Sequence, residues 1–154
     1  MDAHMAEAIA LARRAVEDGT GGPFGAVVVK DGVIIARGQN RVLASGDPTA
    51  HAEVEAIRAA AAHLGSYHLT GCEIVTSCEP CPMCLGAIFW ARLKSIRCGA
   101  TRKDAAAVGF DDEVFYGQLA LRPGERTPPM TCVPCREATE ALALWTEAED
   151  RPSY

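Results

Sequence analysis

Apolar positions near the start of the chain recur at the spacing of a helix. Met5, Ile9, Ala12 and Val16 lie three or four residues apart, which places them on one face of an α-helix. The pattern ends at the glycine-rich segment GTGGPFG, residues 19–25, where regular structure is expected to break. The sequence therefore predicts a first helix followed by a loop.

Short apolar, β-branched runs predict the strands. AVVVKDGVIIARG, residues 26–38, contains two such runs around an Asp-Gly pair, and this pair favours a tight hairpin. Both runs are apolar almost throughout, so we expect both faces of the sheet to be covered. Three further strands are expected in CEIVTS (72–77), SIRCGA (95–100) and MTCVPC (130–135).

Helical patterns separate these strands. They predict helices over residues 50–63 and 81–91, and a C-terminal helix and tail over 136–154. Asp47 or Thr49 is expected to cap the helix that follows them. The order of helices and strands predicts an α/β protein, with a mixed five-stranded sheet between helices in a three-layer α/β/α sandwich.

The composition fits one soluble domain over residues 1–154. Apolar residues make up 49% of the chain and charged residues 23%, as in ordinary globular proteins. No apolar run approaches the roughly 18 residues of a membrane helix, and no secretory signal is recognisable, so we expect a cytoplasmic protein. The net charge of −5 disfavours a nucleic-acid partner and favours a small-molecule substrate.

Two cysteines have the spacing of metal ligands. The chain has seven cysteines, and without a secretory signal their close spacing favours metal binding over disulfides. Cys81 and Cys84, at the start of a predicted helix, place two sulfurs one turn apart. The positive end of the helix dipole favours their thiolates, which suit tetrahedral zinc. A single CxxC motif is nevertheless weak evidence.

A histidine and a glutamate complete a more specific pattern. His51 supplies a nitrogen ligand, and three protein ligands leave the fourth zinc position for water, as in catalytic sites. Glu53, two residues later, lies where a carboxylate can accept and return a proton. The chain thus contains both halves of the zinc deaminase signature, H-x-E and P-C-x-x-C. One zinc ion per chain is expected.

Other metal sites are compatible with the spacing alone. Cys78 extends the motif to C-x2-C-x2-C, so it could close a structural Cys3His site with His51. With Cys72 or Cys98 the same cysteines could hold an iron–sulfur cluster. The second CxxC, residues 132–135, has no nearby histidine and is interpreted as ordinary thiols.

The sequence resembles the bacterial guanine deaminases of the cytidine-deaminase fold over nearly the whole chain. The matching segments are GGPFGAVVV, DPTAHAEVEAIR, TSCEPCPMCLGAIFWAR, DAAAVGFDDEVFY and Tyr154. The zinc motifs are common to the whole superfamily, whereas GFDD and Tyr154 are narrower marks. The family also has the Ser77-Cys78 pair, which argues that Cys78 is not a ligand. CVPC and the acidic last helix depart from the family pattern.

The resemblance implies a role for each matching residue. His51, Cys81 and Cys84 would hold zinc, Glu53 would shuttle protons, and Asp112 would assist proton delivery on the other side of the ring. The substrate would be bound by Phe24, Asn40, Ala52, Trp90 and Tyr154. The resemblance also implies a homodimer in which the C-terminal segment, 136–154, is exchanged between subunits.

Alternative functions stay open at this point. The resemblance implies hydrolysis of guanine, but cytosine, cytidine, guanosine or an aminotriazine is chemically close. The tRNA adenosine deaminases share the zinc motifs. From the residues alone, Phe24 and Trp90 could be core side chains, and Asp112 could belong to a solvated helix cap. A non-catalytic zinc module that binds a partner is the alternative from another class, and Glu53 argues against it.

Overall fold

The computed structural model describes residues 2–153. They fall into two units, of which the first ends at Tyr116 and the second begins at Gly117. The first unit contains a sheet and most of the helices. Its helices are α1 (Ala3–Glu17), α2 (Val42–Ser45), α3 (Ala52–Leu64), α4 (Pro82–Trp90) and α5 (Arg102–Ala107), and its strands are β1 (Gly25–Lys30), β2 (Val33–Gln39), β3 (Glu73–Cys78) and β4 (Ser95–Ala100). Helix α6 (Asp112–Ala120) crosses the boundary between the units.

The sheet is mixed, as predicted, but it has four strands. Their order is β2-β1-β3-β4; β1 is antiparallel to both neighbours, and β3 is parallel to β4. The predicted fifth strand at 130–135 is wrong, because residues 127–135 have no helix or strand. Pro128, Pro129 and Pro134 lie in this segment, and proline cannot donate to a sheet ladder.

Helices cover both faces of the sheet, which confirms the expectation from the apolar hairpin. Alternate residues of β1 point to opposite faces. Val27 and Val29 pack with Leu11 of α1, whereas Val28 packs in the cluster that contains Ala56 of α3 and residues of α4. The observed layers are therefore α1, the sheet, and then α3 with α4.

A glycine allows α3 to approach the sheet at van der Waals distance. A Cβ atom at Gly38 in β2 would lie 2.1 Å from the backbone oxygen of Ala52 and 2.5 Å from the backbone nitrogen of Ala56. The backbone of α3 thus contacts the backbone of β2, and any larger side chain at Gly38 would displace the helix. This contact lies at the N-terminal turn of α3, next to His51.

The predicted helix boundaries are close to those observed, but the predicted cap of α3 is wrong. His51 is the N-cap residue of α3. The Asp47 side chain instead accepts hydrogen bonds from the amide and hydroxyl of Thr49, so both residues stabilise the preceding turn. Cys81 is the N-cap residue of α4, and two helices therefore begin at candidate metal ligands.

The second unit contains one regular α-helix of its own. It comprises the end of α6, a short 3₁₀ helix at Pro123–Glu125 and α7 (Arg136–Glu147). Arg126 donates hydrogen bonds to the carbonyls of Leu119 and Leu121 and thereby fixes the turn after α6. No residue of α7 is buried. None of the helices described here is long and apolar enough to span a membrane.

Candidate zinc and substrate site

The predicted ligands meet where α3 and α4 begin. The Nδ1 atom of His51 lies 3.6 Å from Sγ of Cys81 and 3.5 Å from Sγ of Cys84. His51 and Cys81 are fixed by their N-cap positions, and Cys84 follows one turn into α4. Among residues 2–153, these three form the one group of three or more side chains that could hold a metal ion.

The geometry of this group fits zinc. Zinc binds cysteine sulfur at about 2.3 Å and histidine nitrogen at about 2.0–2.1 Å, which gives a nitrogen–sulfur separation of about 3.6 Å at the tetrahedral angle. Both observed separations agree with this value. One imidazole and two thiols are also a donor set that zinc prefers. The positions of these three side chains therefore fit a bound zinc ion.

Cys78 lies outside the ligand group. Its Sγ donates a weak hydrogen bond to the carbonyl of Thr101 at 3.5 Å, and burial raises the pKa of its thiol to about 11. Cys72 is buried and Cys98 is exposed, and neither joins the group. The geometry therefore supports neither the Cys3His site nor the iron–sulfur cluster that the spacing allowed.

The ligands polarise one another strongly. A hydrogen bond from Cys84, assisted by His51, lowers the pKa of Cys81 to about 4. The same hydrogen bond raises the pKa of Cys84 far above its usual range, and contact with Cys81 raises the pKa of His51. The group thus already holds one thiolate, and the other thiol must lose a proton when zinc binds.

Glu53 is a buried carboxyl beside the ligands. It lies in the first turn of α3 and is only 7% exposed. Burial raises its pKa to about 7, so near neutral pH the group can both accept and donate a proton. Burial also raises the pKa of Asp112, the first residue of α6.

A cavity of about 380 Å³ is lined by two of the three metal ligands. Predicted site residues that line it are Phe24, Asn40, His51, Glu53, Cys81 and Asp112. Phe110 also lines it, with its ring edge-to-face against Phe24 at a centroid distance of 4.7 Å. Sequence reasoning did not assign a role to Phe110, although it lies inside the GFDD motif. Glu79, Leu43 and Pro48 are further lining residues that it missed.

Asn40 is held rigidly in the wall of this cavity. It is 4% exposed, its backbone N–H donates to the carbonyl of Phe24, and its side-chain Oδ1 accepts from the backbone N–H of Val42. A Cβ atom at Gly21 would lie 2.0 Å from this Oδ1. The side chain of Asn40 can therefore occupy this position only because residue 21, in the glycine-rich loop, is a glycine.

Three predicted substrate-binding residues are not among the lining residues. Ala52, the first residue of α3, is fully buried, and Trp90 at the end of α4 is 64% exposed. Tyr154 lies outside the described residues. Contacts of these three with a substrate stay predictions.

Comparison with known proteins identifies the family. The profile of the cytidine and deoxycytidylate deaminase zinc-binding region matches residues 1–100, which include all three ligands and Glu53. The chain belongs to this deaminase family. Guanine deaminase of Bacillus subtilis is 51% identical over 147 residues, 96% of this chain and 94% of that protein.

The similarity extends to structure. The X-ray structure of guanine deaminase from Bacillus subtilis superposes with a TM-score of 0.94 at 49% identity and covers 100% of this chain and 99% of that one. The tRNA-specific adenosine deaminase of Aquifex aeolicus is also similar, at 41% identity over 66% of each chain. This deaminase thus resembles the first relative along its whole length and the second over two thirds.

The ligand geometry predicts the effect of removing single cysteines. Cys78→Ala should retain one zinc ion per chain, because Cys78 does not contribute a donor atom. Cys84→Ala, the matched control, should lose the ion, because two donors remain. Metal analysis of the purified variants after dialysis measures both. Loss of zinc from Cys78→Ala would contradict the proposed ligand set.

The buried carboxyl predicts a pH-dependent stability. Without zinc, Glu53→Gln should unfold at higher denaturant concentration than the parent protein at pH 8. The carboxyl then ionises in the folded state, where its pKa is about 7 rather than 4.5, at a cost on the order of 3 kcal/mol. The difference should shrink as pH falls from 7 towards 4.5, because both folded and unfolded states then bind the proton. Urea unfolding of chelator-treated protein at pH 5 and pH 8 tests this, and a pH-independent difference would contradict it.

Proposed function

We propose that this enzyme hydrolyses guanine to xanthine and ammonia. The observation that carries the proposal is the location of Glu53, a buried carboxyl that lines the same cavity as the zinc ligands His51 and Cys81. A structural zinc site has no use for such a carboxyl, whereas hydrolytic deamination requires a proton carrier beside the metal. The choice of guanine rests on the similarity to the guanine deaminase of Bacillus subtilis.

Glu53 performs the proton transfers of the proposed reaction. Zinc, when bound, activates water for attack on the ring carbon that carries the amine. The pKa of Glu53, raised to about 7 by burial, suits a group that moves two protons in turn. It takes one proton from this water and delivers it to the ring nitrogen, and it then takes the proton of the hydroxyl added to the ring carbon and delivers it to the departing amine as the carbonyl forms. The carbon–nitrogen bond breaks, ammonia leaves, and the carboxyl is ready for another cycle.

Other lining residues of the cavity bind the base. The perpendicular rings of Phe24 and Phe110 offer an apolar surface to a planar heterocycle. The fixed amide of Asn40 supplies directional hydrogen bonding, and Asp112 assists proton delivery at the far side of the ring. Burial raises the pKa of Asp112, a shift in the direction that favours the protonated form, which can donate.

A tRNA substrate fits this cavity less well. Besides Glu53, the carboxyls of Glu79 and Asp112 line it, and the chain has a net charge of −5. A polynucleotide would bring phosphates towards this acidic region, at an electrostatic cost. We therefore favour a free base over a base within RNA.

We further propose that the enzyme is a cytoplasmic homodimer. Its seven cysteines are free thiols, which suits a reducing compartment. Leu142 and Leu144 of α7 are exposed, as is Phe89 of α4, and a second copy of the chain would cover such apolar surface. Following the family resemblance, residues 1–154 act as one deaminase domain whose segment 136–154 is exchanged between subunits, with Tyr154 covering the partner's cavity.

Substrate choice is tested by ammonia release from guanine, guanosine, cytosine, cytidine, adenine and an aminotriazine. Guanine should be the best substrate, and guanosine should be poorer because a base-sized pocket leaves little room for ribose. Glu53→Gln should retain zinc and lose roughly 10²–10⁴-fold in rate, the usual contribution of general acid–base catalysis. Faster turnover of cytidine or guanosine would refute the assignment to guanine. Zinc without ammonia release from any compound would favour a non-catalytic zinc module.

The exchanged tail is tested by complementation. Deletion of residues 151–154 should lower activity while leaving zinc content intact, because an open cavity admits bulk water. This deleted chain is mixed with a Glu53→Ala chain whose tail is intact, and the subunits are allowed to exchange. If the tail acts on the partner, each mixed dimer contains one complete site and part of the activity returns. A mixture that stays inactive would show that the tail closes its own site, and full activity of the deleted chain would refute a role in closure.

A further inference from the structure

The position of Asp112 depends on few contacts. It is the first residue of α6, and no residue of α6 is buried. A helix without buried side chains is not held in place by the hydrophobic core, so directed contacts must fix it. Contacts before and after Asp112 in the sequence hold it at the cavity.

Aromatic residues fix the segment on both sides of Asp112. Before it, the ring of Phe110 packs against Phe24, and the Phe110 amide donates to the carbonyl of Ala105 at 3.1 Å. After it, the hydroxyl of Tyr116 donates to the carbonyl of Pro80 at 2.9 Å. Asp112 and Tyr116 are four residues apart on one helix, so a shift at Tyr116 is transmitted to Asp112.

The ring of Tyr116 is held by a charged neighbour as well. The guanidinium carbon of Arg102 lies 4.4 Å from the centroid of this ring, within the range of a cation–π contact. The Arg102 backbone amide donates to the carboxylate of Glu79 at 3.0 Å, and its Nε lies 3.8 Å from the other oxygen of that carboxylate. Tyr116 therefore joins α6 to the segment Glu79–Cys81, which leads into the metal ligands.

Cutting this hydrogen bond would release α6 rather than the segment that carries the zinc ligand. The Glu79 amide donates to the carbonyl of Ala100, and the Cys81 carbonyl accepts from the amide of Leu85, both at 2.9 Å. Cys81 is only 5% exposed. This segment thus has its own anchors in β4 and α4, whereas the described part of α6 has no buried residue.

We propose that Tyr116 is a positioning residue whose hydrogen bond to the Pro80 carbonyl places Asp112 in the cavity. This inference rests on the proposed function, which assigns the proton-delivery role to Asp112. Tyr116 does not line the cavity, so it acts on the reaction through Asp112 and not through the substrate. Its effect should appear in turnover more than in substrate binding, because Asn40 and Phe24 remain in place.

The first test compares Tyr116→Phe with Tyr67→Phe. The control variant removes a tyrosine hydroxyl from the segment between α3 and β3. Tyr116→Phe keeps the ring for Arg102 and should lower kcat on guanine roughly tenfold, the effect of one lost hydrogen bond. KM should change less than about threefold, and one zinc per chain should remain. Tyr67→Phe should match the parent enzyme. Loss of zinc from Tyr116→Phe, or an unchanged kcat, would refute the proposal.

A double-mutant cycle separates positioning of Asp112 from a general structural role. In an Asp112→Asn background, Tyr116→Phe should lower kcat less than about twofold, because the group that it positions has already been removed. A purely structural effect would repeat the full tenfold loss in that background, and this outcome would overturn the proposal.

Hydrogen exchange tests the same inference without any substrate. In Tyr116→Phe, amide exchange should accelerate in residues 111–116 and stay unchanged in residues 79–85. Faster exchange in 79–85, or no acceleration in 111–116, would contradict the role assigned to Tyr116. If the parent enzyme releases no ammonia from guanine, the proposed function fails, and the exchange experiment still decides whether Tyr116 holds α6.

Discussion

The convergence of two helix N-termini on one metal position is the constraint on which the rest of the site depends. Tetrahedral coordination of zinc requires nitrogen and sulfur donors about 3.6 Å apart. The Nδ1 atom of His51 lies at about this distance from Sγ of both Cys81 and Cys84. The helix that His51 caps can reach this position only because Gly38 lets its backbone touch the sheet. The metal geometry therefore requires the close packing of the α3 backbone on β2.

The same arrangement is costly in the absence of metal. It buries the carboxyl of Glu53 and brings two cysteines and a histidine together. The pKa values of Glu53, His51 and Cys84 are raised, whereas that of Cys81 is lowered. Such perturbed groups are typical of functional sites. Binding of zinc to the thiolates replaces their mutual hydrogen bonding and releases a proton. Folding, metal binding and proton transfer are thus coupled through residues of two helix turns.

Outside the metal position, loops and a short helix shape the cavity. The glycine-rich loop lets Asn40 pack closely at Gly21, and the segment before α6 brings Phe110 against Phe24. The zinc-binding region is common to the family, whereas these elements form other parts of the cavity wall. They are also held by fewer contacts than the sheet, which is why a single hydroxyl, that of Tyr116, matters for the position of α6.

The sequence predicted both hairpin strands, the helices of the sheet layers and a group of candidate metal ligands that includes His51, Cys81 and Cys84, with Glu53 next to His51. Helix periodicity alone puts Cys81 and Cys84 on one turn, and the H-x-E motif puts Glu53 beside His51. These relations could be predicted because each joins residues that are neighbours in one element, whereas the meeting of His51 with the two cysteines depends on how α3 and α4 pack.

Only the tertiary structure decided the features that depend on distant segments. The fifth strand was wrong because prolines in 127–135 cannot join a ladder. The exclusion of Cys78 from the metal follows from the direction of its thiol towards Thr101. Phe110 packs against Phe24, and Tyr116 donates to the carbonyl of Pro80. No local pattern reports how segments this far apart in the sequence pack. The sequence by itself thus determined the chemistry of the metal end, whereas tertiary packing determined the shape of the cavity and what holds Asp112 in it.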